Sequence, residues 1–285
     1  MQLLQQAASV AVLIFVPSSM LAMGLGLTVS EIIGPLRSAR LVVLALLASF
    51  ALMPLAAAAL AALLRLDEPL RIGLLLLGAA GGAPFLPKLA QIAKGNLPFA
   101  VGLMVLLMVV TVGFLPLLLP FLIPGVSVNP ADIARSLILL MLLPLVGALV
   151  VKAWFPVAAA RLKPLFDWIS NLSLILLVLL ITTGNINRVL AVFGTFGILA
   201  GLLFIAIGFG MGWLLGGPVM GTRRVVALGT AQRNIAAALV VGRGFSDPKV
   251  VVMVVVVAIV GLLILMPLSR LLGSRSERSR EFRTP

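Results

Sequence analysis

One short polar run carries most of the chemistry that this sequence offers. It comprises Gly229, Thr230, Gln232, Arg233 and Asn234, midway through an apolar stretch at 222–242. An unpaired guanidinium in a membrane interior costs several kcal/mol, so Arg233 needs a wet cavity or an anion. The alternative is that Arg233 snorkels or pairs with the C-terminal carbonyls of helices. Gln232 and Asn234 either contact the same ligand or satisfy backbone groups that the break frees. The residues alone leave both alternatives open.

A second interruption lies in the apolar stretch at 70–93, where Gly81, Gly82 and Pro84 stand near its middle. Glycine and proline free backbone groups, which protein or a water-lined cavity must then satisfy. Broken segments in corresponding places of two halves are typical of the substrate site of a transporter. The alternative is that these residues serve helix packing alone.

The composition predicts an all-α membrane protein. The chain has 285 residues, of which 62% are hydrophobic and only 10% charged, and its mean hydropathy is +1.27. A soluble domain carries about a quarter charged residues. The net charge of +13 is scattered over loops and the C-terminal tail, and this distribution argues against a nucleic-acid partner. The sequence contains no Cys and no His, and no nucleophile–base pair or nucleotide loop can be assembled. We therefore predict no enzyme, no catalytic residue and no resident cofactor.

The chain divides into about nine apolar stretches. They lie at 7–28, 40–64, 70–93, 97–123, 131–152, 165–185, 189–216, 222–242 and 248–271. With the N-terminus outside, Arg135 and Arg233 fall within spans, five of the 21 Lys and Arg residues fall outside (Arg65, Arg71, Arg188, Arg243 and Lys249), and the rest fall inside. This bias predicts a multi-pass inner-membrane protein with a cytoplasmic C-terminus.

The order of the stretches also predicts inverted repeats. Spans 1–4 and spans 6–9 each run plain, plain, broken, plain, and five spans separate the partners. An odd offset reverses the direction of a repeat in the membrane. Span 5 is left without a partner, as if a first helix were missing.

Several stretches of this sequence resemble those of the bile acid:sodium symporter family. The likeness rests on MLAMGLGLTVSEI at 20–32, ASFALMPLAAAAL at 48–60, GGAPFLPKLAQIAKGN at 81–96, PLLLP at 116–120 and ALGTAQRNIAAAL at 227–239. The resemblance implies two discontinuous helices that cross, a core domain that holds them and a panel domain beside it. It also implies sodium-driven transport of organic anions such as bile acids and small carboxylates.

Mapped onto the chain, the resemblance gives five parts. They are a panel helix at 1–30, a first-repeat core at 31–125, panel helices at 126–188, a second-repeat core at 189–272 and a cytoplasmic basic tail at 273–285. The expected substrate-binding residues are Arg233, Asn234, Gln232, Thr230, Gly229, Gly81, Gly82 and Pro84.

The departures from the family pattern concern sodium. Ala83, Pro84, Phe85 and Leu86 stand where the family usually has Thr-Ala-Ser-Asn, and Ala227 stands where it has a glutamate. Only Gln232, Asn234 and Thr111 remain as weak candidate sodium ligands. One hypothesis is that Arg233 replaces the charge of bound sodium; the other is that sodium coupling persists through backbone carbonyls with Asn234 and Gln232.

The expected partners are therefore a small organic anion and the lipid bilayer, and the sequence does not indicate an oligomeric state. A channel or a non-transporting membrane protein is the alternative from another class, because polar breaks in helices serve channels as well.

Overall fold

The computed structural model describes residues 2–33, 38–122, 130–184 and 196–281, and every regular element in these ranges is helical. Twelve helices are numbered here along the chain. They are α1 (Gln2–Gly26), α2 (Val29–Ile33), α3 (Ala39–Leu63), α4 (Glu68–Ala79), α5 (Leu86–Ile92), α6 (Leu97–Leu122), α7 (Pro130–Leu137, continued by Ile138–Leu142 and Leu143–Trp154), α8 (Pro156–Gly184), α9 (Gly197–Leu215), α10 (Met220–Ala231), α11 (Ile235–Gly242) and α12 (Lys249–Glu281).

Six segments in the described ranges are long and apolar enough to cross a membrane. They are Ala39–Leu63, Leu97–Phe121, Ala134–Trp154, Gly197–Leu215, Met220–Gly242 and Lys249–Ser274. A shorter apolar helix lies at Val10–Gly26. The other predicted spans fall on α4 with α5 and on α8. In the described ranges these helices do not meet the length and hydropathy criteria for a membrane span. The count of nine therefore stays a prediction, and the predicted boundaries at 125/126 and 188/189 lie outside the described residues.

Both predicted interruptions are present as breaks between helices. The first broken helix consists of α4 and α5, separated at Ala80–Phe85, and the second consists of α10 and α11, separated at Gln232–Asn234. Proline at the start of α5 suits a helical first turn, where its missing N–H is not needed.

The second broken helix lies inside the protein. In its most apolar 18-residue window 94% of the residues are buried, against 22% for the span of α7. Glycines at 208, 212 and 216 let α9 approach the backbone of α10 closely; a Cβ at Gly212 would fall 2.6 Å from the Cα of Ala227. The polar run of the second break is therefore shielded from lipid.

The remaining contacts place the broken helices beside a second group of helices, α1, α7 and α8. Helices α1, α7 and α8 pack on one another, while α4 packs on α3 and α12, and α10 packs on α9, α6 and α5. The division into core and panel domains and the inverted repeats remain predictions.

Candidate functional site

The backbone of the first break is held by contacts with α6. The Thr111 hydroxyl donates to the carbonyl oxygen of Gly81 at 3.0 Å and accepts from the Gly81 N–H at 2.9 Å. Gly82 has φ +77°, and a Cβ there would lie 2.7 Å from the Met104 carbonyl oxygen and closer still to the Met108 nitrogen. Only glycine meets both demands at this position.

The second break is joined to the first through Asn234. Its backbone N–H donates to the Ala80 carbonyl oxygen at 2.9 Å. Its side-chain Oδ1 accepts from the Ala237 N–H at 3.0 Å and so caps α11. The Asn234 Nδ2 atom is buried and has no hydrogen-bond partner within the part of the chain that the structure describes.

Arg233 is buried at the junction of the two breaks, with 4% of its surface exposed. Nε donates to the Leu77 carbonyl oxygen at 2.9 Å, and Nη2 donates to the carbonyl oxygens of Gly78 at 2.7 Å and Ser49 at 3.1 Å. Nη1 donates to the Thr230 carbonyl oxygen at 3.3 Å. All four hydrogen bonds therefore go to backbone carbonyls, and among the described residues no salt bridge to a carboxylate includes this guanidinium.

A cavity of about 1240 Å³ lies between the broken helices and the pair α1 and α8. Its walls are mostly apolar, with Phe15, Met23, Phe85, Val101, Leu174 and Met266 among them. Arg233 and Gln232 line it from the second break, and Pro84 lines it from the first. A pocket of this size holds a drug-sized ligand with room to spare.

Five more charged residues line the same cavity. They are Lys88, Lys163 and Arg270, with the carboxylates Glu31 and Asp167. Lys163 forms a salt bridge with Asp167. Hydrogen bonds from the Thr28 hydroxyl and backbone N–H lower the pKa of Glu31, which therefore stays ionised at neutral pH. We define Lys88 and Arg270 as the basic pair; the described structure pairs neither with a carboxylate.

The predicted site residues thus fall into two groups. Arg233, Gln232 and Pro84 line the cavity, whereas Gly81, Gly82, Gly229, Thr230 and Asn234 lie at the breaks without lining it. A Cβ at Gly229 would meet the Leu86 side chain at 2.9 Å, so this glycine serves contact between the broken helices. The sequence alone did not indicate a site role for the basic pair, Lys163, Asp167 or Glu31. Lys88 was identifiable because it follows the Gly-Pro interruption by four residues.

The candidate sodium ligands are largely committed elsewhere. Thr111 both donates to and accepts from Gly81, and the Asn234 oxygen caps α11. Of the three candidates, only Gln232 keeps a side-chain oxygen without a protein hydrogen-bond partner among the described residues. The break carbonyls of Leu77, Gly78 and Thr230 already accept from Arg233. A hard cation needs several oxygen ligands at once, and this donor set does not fit one while the guanidinium is present.

Comparison with known proteins agrees with the resemblance in the sequence. A profile described as the Sodium Bile acid symporter family matches residues 11–192. Over 207 residues the chain is 26% identical to an uncharacterized sodium-dependent transporter, YocS, of Bacillus subtilis (strain 168). This match covers 71% of the chain and 62% of the relative, which is less than two thirds of the relative's length. The apolar helices and the family match together indicate a multi-pass membrane protein, and the chain belongs to the sodium bile acid symporter family.

Proposed function

We propose that this protein is a secondary transporter that moves a small organic anion across the membrane by alternating access. Its family is one of transporters rather than enzymes, in agreement with the absence of a catalytic constellation in the sequence. The name of the Bacillus relative also describes a transporter.

The observation that carries the proposal is the charge of the cavity beside the two breaks. Four basic side chains line it, against two carboxylates, and one of those carboxylates is already paired with Lys163. Low-dielectric walls focus such a field and favour an anion over a neutral or cationic ligand. The apolar remainder of the walls suits the hydrocarbon part of an organic acid.

The predicted topology indicates the side of the membrane toward which the cavity opens. Lys88, Lys163 and Arg270 all belong to the predicted cytoplasmic end of their helices, so we assign the cavity to a conformation open toward the cytoplasm. Rocking of α1, α7 and α8 against the broken helices would close this side and open the other, as inverted-repeat transporters commonly do. Cysteine-specific cross-linking of α8 to α12 should then stop uptake while ligand binding persists.

Sodium-coupled symport through backbone carbonyls with Gln232 and Asn234 is the second candidate. The name of the Bacillus relative favours it. The hydrogen bonds of Arg233 and Asn234 argue against it, because they use the oxygens that such a site requires.

Uptake into proteoliposomes tests the function directly. Several small carboxylates and a bile acid are offered with sodium inside and outside, and again with choline in its place. Saturable uptake that is accelerated by unlabelled substrate on the opposite side supports a carrier. Unsaturated ohmic conductance would instead identify a channel, and the lack of both flux and a ligand-induced thermal shift would identify a non-transporting membrane protein.

A further inference from the structure

Four backbone carbonyls from three helices converge on one guanidinium at the junction of the breaks. We propose that Arg233 is a tethered cation: it permanently fills a carbonyl cluster, formed by the carbonyl oxygens of Ser49, Leu77, Gly78 and Thr230, that would otherwise take a free monovalent cation. The transport consequence rests on the proposed function, but the binding site itself does not.

Three carbonyls of this cluster lie in the last turns of helices. Leu77 and Gly78 belong to the last turn of α4, and Thr230 to the last turn of α10. The Leu77 oxygen also accepts from the Ala80 N–H at 3.2 Å, but the amide four residues beyond it, that of Gly81, donates to Thr111 instead. The amide four residues beyond Thr230 is that of Asn234, which donates to Ala80 instead. The final carbonyls of a helix carry a partial negative charge, so two helix ends that meet in the protein interior attract positive charge.

Ser49 contributes its carbonyl for a different local reason. It lies in a π-helical turn at Ala48–Leu52, within which the Met53 N–H donates to the carbonyl of Ala48. The next residue in register is Pro54, which has no N–H to donate. The Ser49 oxygen is therefore free for Nη2 of Arg233, 3.1 Å away.

The arrangement resembles a cation-binding site in its chemistry. A guanidinium carries five N–H donors in a rigid plane, and four hydrogen bonds to the cluster are present. Its positive charge is balanced in the described structure by carbonyl oxygens alone, the ligand type that hard cations use. A free cation and Arg233 cannot share these oxygens, because they would compete for them and repel one another.

The test is thermal unfolding of the purified full chain in NaCl and in choline chloride at equal ionic strength. We expect the wild type to unfold at the same temperature in both salts. Arg233→Ala should unfold at a lower temperature in choline, and sodium should raise the midpoint by at least about 2 °C with saturation, since it binds only the folded state. Arg233→Lys retains a tethered charge and should show no sodium response.

Arg224→Ala is the matched control. Like Arg233, Arg224 is a buried arginine that donates to backbone carbonyls, but it lies within α10, and its acceptors, Ala93 and Lys94, lie away from the cluster. Its loss should lower the midpoint equally in both salts. A sodium-specific rise in the wild type would overturn the proposal, and so would a folded Arg233→Ala variant that does not respond to sodium. Arg233→Gln removes the charge while keeping most of the side-chain volume; it should show the same sodium response and replaces Arg233→Ala in the test if that variant does not fold. Since no step measures flux, a failed uptake assay leaves this result interpretable.

Discussion

Arg224 and Arg233 bind the C-terminal carbonyls of the two halves of the first broken helix. Arg233 donates to Leu77 and Gly78 at the end of α4, and Nη1 of Arg224 donates to Ala93 at 2.9 Å, just beyond α5. Both arginines belong to the second broken helix or to its break. The second broken helix thus supplies the positive charge for both C-terminal ends of the first, and this links the two segments without a carboxylate.

Removal of Arg224 should weaken this link without affecting the cavity. Arg224→Ala leaves the buried Ala93 carbonyl without its side-chain donor, so we expect a loss of about 2 kcal/mol in the free energy of unfolding. Thermal unfolding measures the loss, and the ligand-induced shift should persist because Arg224 does not line the cavity. Arg223→Ala is the control, since Arg223 donates to Gly217 from a half-buried position. Equal stability of both variants would contradict the prediction.

Gly82 is the position in the first break where we expect a side chain to be tolerated least. Gly82→Ala combines a left-handed backbone with a clash against the backbone of α6, so a loss of at least about 3 kcal/mol is expected. Fluorescence-detected size exclusion and thermal unfolding provide the measurement. Gly113→Ala, also a glycine of this region but with open space around its Cβ, should keep or slightly raise stability. A stable Gly82→Ala variant would mean that the break has a different backbone.

The hydroxyl of Thr111 should contribute more to the free energy of unfolding than its methyl group does. Thr111→Val keeps the shape but leaves the N–H and carbonyl of Gly81 unsatisfied in a buried site, at a cost of about 2 kcal/mol. Thr111→Ser keeps both hydrogen bonds and should lose clearly less. If Val and Ser cost the same, packing rather than hydrogen bonding holds the break.

The sequence located the two breaks because their signals are local. Gly81, Gly82 and Pro84 interrupt a helix because they stand close together, whereas single prolines such as Pro116 and Pro267 remain within helices. The polar run at 229–234 is conspicuous within apolar residues. The family match confirms the resemblance that those residues indicated. The inverted repeats, the nine spans and the roles of the site residues remain predictions.

The hydrogen-bond partners of Arg233 could not be predicted from the sequence, for a physical reason. Its acceptors are backbone carbonyls, which every residue possesses, and Ser49 lies 184 positions away in the chain. The sequence allowed only the general alternative of helix C-terminal carbonyls. The basic pair was counted among inside charges for topology, and only the tertiary fold brings Lys88 and Arg270 to one cavity.

The predicted orientation can be tested with two serines, one shortly before α12 begins and one in its C-terminal part. The native chain has no cysteine, so Ser246→Cys and Ser274→Cys each provide a single label site. Both side chains are exposed, and the candidate span Lys249–Ser274 separates them. A membrane-impermeant maleimide should label position 246 in intact cells and position 274 only after lysis. The reverse pattern would invert the topology, and it would also assign the cavity to the outer side.

The basic pair should govern the affinity for the transported anion. Arg270→Gln or Lys88→Gln removes one positive charge from the cavity wall while the cluster around Arg233 stays intact. Loss of about 1 kcal/mol of electrostatic attraction raises KM roughly fivefold with little change in kcat. The effect should shrink as ionic strength rises, because salt screens exposed charges. Arg71→Gln is the control, since it removes an exposed charge of α4 that does not line the cavity. An unchanged KM in both cavity variants would show that the anion does not pass these side chains.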